Sequence, residues 1–261
     1  MSDLKSSILA TLQMYIECVK SASWAVIRNW PMLIGVIAAF FLFEVAVDKL
    51  VFFGHAGRFG AGILAAALIS VYYLWLAEAA SGNTITLKRL PAFDWGLFLS
   101  IISVSFILYI IWLVTSPYQM QNAASAAIIN LLIIFLFNAI PESIYLHRSE
   151  SIAAFSKAIN FTKENWIEWY LPFLLLLLPI FLRSSDPIAV LLSFSTMLAP
   201  LLPATVIIYS WSGVAAQWVP APLALLCGLV IGNWFMLFRG FLFQELDSGS
   251  RRRRMFLAKQ R

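Results

Sequence analysis

The chain has 261 residues, 61% of them hydrophobic and only 12% charged, and its 18 basic and 13 acidic side chains give a net charge of +5. An ordinary globular domain carries about 25% charged and about 45 to 50% apolar residues, so this composition excludes a soluble fold that hides its apolar surface from water. Several stretches exceed the roughly 18 apolar residues that a bilayer crossing needs, and the runs at 131–137 and 171–179 lack the period-two alternation of a membrane barrel. The fold class expected is all-α, a polytopic helical membrane protein.

The first 30 residues carry Lys5, Glu17, Lys20 and Arg28 and no cleavage-site pattern, so they are expected to stay in the mature protein. Leu4, Ile8, Leu12, Tyr15 and Val19 share one helical face, which defines an amphipathic segment over 1–30 that lies in the interface or docks on the bundle. Asn29-Trp30 then opens a first hairpin of helices at 31–51 and 59–80, turning through Gly54, His55, Gly57 and Arg58. A polar segment at 81–91 leads to Asp94-Trp95 and a second hairpin, 96–115 and 123–140, with its turn at Ser116-Pro117-Tyr118-Gln119. A second amphipathic stretch follows, with Ile152, Phe155, Ile159 and Trp166 on one face. Asn165-Trp166 opens an apolar helix that ends near Leu182, and two further apolar stretches remain at 188–211 and 221–243. The organisation read from this is a helix at 1–30, one transmembrane domain over 31–246, and a basic cytoplasmic tail at 247–261.

Three times a polar residue followed by tryptophan stands at the threshold of an apolar stretch. Tryptophan favours the water–lipid boundary because its ring is apolar while its indole N–H needs a partner, so Trp30, Trp95 and Trp166 read as interfacial anchors. If all three face the cytoplasm and the C-terminus does too, fifteen of the eighteen basic residues lie inside, and only Lys49, Arg58 and Arg183 lie outside. That balance favours six crossings in a bacterial inner membrane with both termini cytoplasmic. It leaves 188–211 as a re-entrant or broken segment, where Pro200 and Pro203 interrupt the backbone ladder. The competing reading makes that stretch one kinked crossing.

The segments AFSKAINFTKENW (154–166) and AEAASGNTITL (77–87), with Leu237-Phe238-Arg239 and Gln244-Glu245-Leu246 near the end, carry a likeness to a known group. In these the chain resembles the bacterial six-helix membrane superfamily of the YciC-like proteins and of the membrane domain attached to some glycerophosphoryl diester phosphodiesterases. The resemblance implies fold and location. It does not imply hydrolysis, because no soluble stretch here is long enough to hold a hydrolase domain.

Polar groups placed inside hydrocarbon are the informative ones. Glu44 stands thirteen residues past Pro31, about 20 Å up its helix. Asp48 lies one turn further, within reach of Arg58. Asn130 is expected at nearly the depth of Glu44, with Asn138 deeper and Asn233 in the last helix. A carboxyl hydrogen-bonded to an amide inside a bundle serves as a proton or solute relay, or else as interhelical glue worth about 1 kcal/mol or less. Glu78 and Glu142, near inner helix ends, are expected to pair with Lys88 and Arg148. Arg251, Arg252, Arg253 and Arg254 form a run suited to anionic lipid head groups or an acidic partner. Cys18 and Cys227 read as inert thiols, His55 and His147 are too isolated for a zinc site, and no cofactor or nucleic acid is implied.

Three classes of function follow. A structural or accessory membrane component, partnered by lipid, other membrane proteins or a second copy, predicts a dry interior. A transporter for a small or lipid-like solute predicts that Glu44, Asn130 and Asn138 share a polar cavity. A membrane-embedded enzyme is third, because no nucleophile, acid and base converge.

Overall fold

A computed structural model describes residues 2–120, 122–183 and 201–248. The helices are α1 (Ser2–Arg28), α2 (Pro31–Leu50), α3 (Gly54–Ala80), α4 (Trp95–Gln119), α5 (Ala123–Phe137), α6 (Ile140–His147), α7 (Ser151–Arg183), α8 (Pro203–Ala215) and α9 (Ala221–Ser248). Helices satisfy every backbone polar group within the segment, which hydrocarbon demands. Among the described residues five stretches are long and apolar enough to cross a bilayer: Pro31–Leu50, Gly54–Ala80, Trp95–Gln119, Ile128–His147 and Ala221–Ser248. The protein is a multi-pass helical membrane protein.

Both hairpin turns are tighter than expected. The first is a single 3-10 turn at Val51–Phe53, and α3 already begins at Gly54, whose φ of +61° favours a residue without a Cβ. Gly57 is buried against this turn, where a Cβ would sit 1.7 Å from the Leu50 carbonyl oxygen. At the second hairpin α4 runs through Pro117 to Gln119, and the side chain of Asn122 caps α5 by accepting from Ser125 N–H at 2.7 Å.

The amphipathic faces also differ from the expected ones. In α1 the buried stripe is Met14, Cys18, Ala22 and Ala25, while Leu12 and Val19 are exposed and Tyr15 is half-buried. The small residues win because they let two helix backbones approach closely. They seat α1 on α9, with Trp234 Nε1–H donating to Ser23 Oγ at 3.1 Å, and Tyr15 O–H ties α1 to α7 by donating to the Glu168 carbonyl at 2.8 Å. Leu9, Leu12, Ile16 and Val19 remain as an exposed apolar stripe on the other side. In α7 the buried positions are Ala154, Phe155, Ala158, Phe161 and Thr162, whereas Ile152 and Trp166 face outward.

Of the anomalous 188–211 stretch, 188–200 lies outside the described residues, as do Arg251 to Arg254. The rest forms α8, which begins with Pro203 at its first turn, where a missing N–H leaves no bond unmade. Its 13 residues rise about 20 Å, short of a hydrocarbon core of about 30 Å. It packs on α9 through Gly228 and Gly232, four residues apart. A Cβ on Gly228 would lie 2.5 Å from the Ile208 carbonyl oxygen, and one on Gly232 would lie 2.4 Å from Ile208 Cγ1. Gly-xxx-Gly is the small-residue spacing that membrane helices use to pack.

Burial is polarised along the helix axes. Helix α2 buries Pro31, Met32 and Gly35 at its start, α4 buries residues between Leu97 and Leu108, and α3 and α9 are densest in their later halves. The core therefore sits at the end marked by Trp30 and Trp95, with Ile85, Leu97, Ile101, Ile140, Ile144 and Phe243 almost wholly enclosed. Towards the other end the helices part.

Candidate intramembrane site

Two features occupy the interior. The first is a charge centre in the packed end. Helix α5 stops at Phe137 and α6 starts at Ile140, with Pro141 in its first turn. Proline supplies no N–H to the preceding turn, so the break releases backbone acceptors. The Asn138 carbonyl accepts a hydrogen bond from Arg239 Nη2, and Asn138 Oδ1 accepts one from Arg239 Nη1 at 2.7 Å. The same guanidinium donates from Nε to Glu142 Oε1 and from Nη2 to Glu142 Oε2, both at 2.8 Å. Arg239 thus places positive charge at the end of α5, while Glu142 places negative charge in the first turn of α6, and both positions complement the helix dipoles.

The centre is dry. The Arg239 and Glu142 side chains are 3% and 0% exposed. Trp169 lies against the guanidinium at 4.7 Å and donates its Nε1–H to Asn138 Oδ1 at 3.2 Å. Tyr73 and Tyr145 pack beside it with ring centroids 5.5 Å apart. Counting from Ala221, Arg239 is about 27 Å along α9, close to the far boundary of a core about 30 Å thick. A bidentate pair held by additional hydrogen bonds is the arrangement that makes buried charge tolerable.

This overturns two expected pairings. Glu142 meets Arg239 and not Arg148, because Glu142 faces inward from the first turn of α6. Arg148 ends that helix in the left-handed region at φ 53° and donates to Asp94 Oδ2 at 2.6 Å. Glu78 pairs with Arg89 at 3.5 Å rather than with Lys88. Among the described residues no ion pair joins Asp48 to Arg58. At the end of α9, Asp247 receives His147 Nε2 at 3.0 Å and Lys157 Nζ at 3.7 Å.

The second feature is a groove of about 280 Å³ lined by residues of α2, α3, α8 and α9. Its walls include Val36, Phe40, Leu68, Trp75, Ile208 and Leu229. Phe40, Phe41, Glu44 and Tyr209 are exposed at its rim, so it opens sideways from the membrane-spanning helices. Thr205 Oγ1–H is committed to the Leu202 carbonyl at 2.7 Å. Asn233 is buried and lines the wall, with its Nδ2 donating to the Leu229 carbonyl at 2.8 Å. Its Oδ1, like Trp75 Nε1, has no partner among the described residues.

The residues singled out in the sequence therefore divide. Glu44 and Asn233 line one groove. Asn138 belongs to the charge centre, Asn130 is half-buried on α5 away from the groove, and Asp48 is exposed near the end of α2. Trp30, Trp95 and Trp166 are exposed, at 54%, 69% and 53%. Their polar neighbours are corner pieces. Asn29 Nδ2 donates to the Ala25 carbonyl at 2.9 Å, and its Oδ1 accepts from Ile85 N–H at 2.7 Å. Asn165, non-helical within α7, donates to the Phe161 carbonyl at 3.2 Å. Asp94 caps α4 by accepting from Leu97 N–H at 3.0 Å. Sequence reasoning placed Arg239 among the inside basic residues and missed its role, although an arginine four residues before Phe243 in an apolar helix is a signal in itself.

Cys18 is buried between α1 and α9, and its burial, with Glu245 and Glu17 nearby, pushes the thiol up to about 12. Cys227 is exposed on α9. No family model, curated protein or solved structure matches the chain.

Proposed function

We propose that this protein is a non-enzymatic component of a bacterial inner membrane, and that its working surface is the groove, which takes up a lipid-like molecule from the bilayer. The observation that carries the reading is the groove's chemistry: a volume of about 280 Å³, walls almost entirely apolar, and a rim on membrane-spanning helices. Ligand sites of about 300–1,000 Å³ with apolar walls and a few placed polar groups are the common form, and this one falls just below that range, sized for one chain. Six crossings with cytoplasmic termini, α8 as the broken segment, and membership of the six-helix superfamily belong to the same proposal. So does the contact of Arg251 to Arg254 with anionic head groups. In support, α8 with its 13 residues is too short to span, and burial is denser at the end that holds the Arg239–Glu142 pair than at the other.

An aqueous ion relay through Glu44, Asn130 and Asn138 has less support, because Asn138 is engaged by Arg239. The accessory role is the second reading, favoured by the exposed stripe of Leu9, Leu12, Ile16 and Val19. The test is mass spectrometry of the full chain purified from native membrane, beside a Thr205→Trp variant that fills the groove. The expected result is a stoichiometric lipid-like species on the wild type that the variant loses. An identical lipid complement on both would overturn the groove reading, and a stoichiometric protein partner would favour the accessory role.

A further inference from the structure

We infer that the groove selects a single-chain amphiphile with an ammonium head, which sits beside Glu44 on the rim while its chain lies along the apolar wall towards Val36. This rests on the groove reading above and deepens it. Val36, Phe40 and Glu44 all line the groove and follow one another at intervals of four along α2, so the helix period sets Glu44 on the same face as the apolar wall. From Val36 to Glu44 the helix rises about 12 Å. Glu44 is exposed, and among the described residues that line the groove it alone is charged. Among the described residues no ion pair reaches it. Lys49, the next cation along α2, stands about 140° away around the helix axis. A carboxyl on a membrane-spanning helix without a counter-charge is costly, so a cation carried by the ligand supplies what the fold leaves open.

The rest of the rim suits the same head group. Phe40, Phe41 and Tyr209 are exposed there, and the rings of Phe40 and Phe41 stand 78° apart, so they present faces at nearly a right angle. An aromatic face attracts a cation through the ring quadrupole, most strongly where water is excluded. Carboxyl and aromatic faces together recognise an ammonium, whereas a phosphate or carboxylate head would meet like charge at Glu44. Below the rim, Leu68, Ile208 and Leu229 offer the chain an apolar wall.

The test uses the full chain in nanodiscs of phosphatidylcholine, with two photoreactive probes: a chain-diazirine alkyl trimethylammonium and its neutral tert-butyl isostere. Labelling of groove peptides from α2 and α8 is read relative to peptides from α5, which cancels differences in partitioning. The ammonium probe is expected to label the groove about tenfold more strongly than the isostere, the size of one charge contact away from water. Glu44→Gln should bring the two probes level. Asp48→Asn removes the same charge one turn outside the groove and should leave the preference intact. Equal labelling by both probes in the wild type overturns the ammonium preference and leaves the groove reading standing. Equal loss in Glu44→Gln and Asp48→Asn would assign the preference to general surface charge and overturn the role of Glu44. Absence of groove labelling by both probes overturns both readings. The comparison of probes on the wild type decides the matter even if Glu44→Gln fails to fold.

Discussion

The guanidinium of Arg239 and the carboxylate of Glu142 are the side chains with most at stake. Removing one partner of such a pair leaves a buried charge uncompensated, at about 3–5 kcal/mol, whereas replacing both by apolar groups of similar volume is often neutral or stabilising. Glu142→Ala should therefore lower stability by about 3–5 kcal/mol, and the double change Glu142→Leu with Arg239→Met should recover most of it. Unfolding curves of the purified variants in one detergent decide this, and a double variant as unstable as Glu142→Ala would refute it. The Asp94–Arg148 pair is a smaller case, half-exposed and worth about 1 kcal/mol or less. Partial burial pushes the Asp94 carboxyl up, but the Leu97 N–H and the Arg148 guanidinium outweigh it and hold the group below the usual carboxylate range. A folded-state value below the unfolded one stabilises at neutral pH, and that stability is lost as pH falls below about 4. Asp94→Asn keeps the helix cap and loses the charge. Its melting temperature should sit below wild type at pH 7, and the gap should close as pH falls through the folded-state value of Asp94, whereas a gap that persisted in strong acid would assign the effect to the cap.

At the scale of elements, the sequence signals that held were local. The thresholds at Asn29-Trp30 and Asn165-Trp166 are real breaks, since α1 ends at Arg28 just before the first and Asn165 is non-helical within α7. Periodicity alone misled at α1 and α7. Large apolar residues share a face in both, yet the docked faces are Met14, Cys18, Ala22 and Ala25 in α1 and Ala154, Phe155, Ala158 and Phe161 in α7, where small residues let neighbouring helices approach closely. The Gly228 and Gly232 pair follows the same rule and fixes α8 on α9. Gly228→Ala should destabilise by about 1–3 kcal/mol, because its Cβ would meet the Ile208 carbonyl oxygen at 2.5 Å and backbone must shift. Gly213→Ala, on the open face of α8, should change little. Thermal unfolding of the two variants side by side tests this, and equal losses would remove the packing argument.

For the whole molecule, the arrangement of basic residues predicts sidedness. Fusions of alkaline phosphatase and of a fluorescent protein to each end should give fluorescent, phosphatase-inactive reporters at both termini. Phosphatase activity at the C-terminus alone would establish an odd number of crossings and a spanning 188–211. The multi-pass helical class and the two helices of each of the first two hairpins were legible from composition, because crossing a bilayer imposes length and hydropathy on each segment independently of the others. The interior was not legible. Whether Asn138 would meet Glu44 or Arg239, and whether Glu142 would meet Arg148, depends on the break at 138–139 and on how α9 rotates against α6, relations that no single segment encodes. The sequence by itself determined that the chain is a stack of membrane helices with marked ends. Only the tertiary structure decided that one end closes over a dry ion pair while the other parts into a groove holding Glu44 and Asn233, because burial of charge and the size of a cavity are properties of several helices packed together.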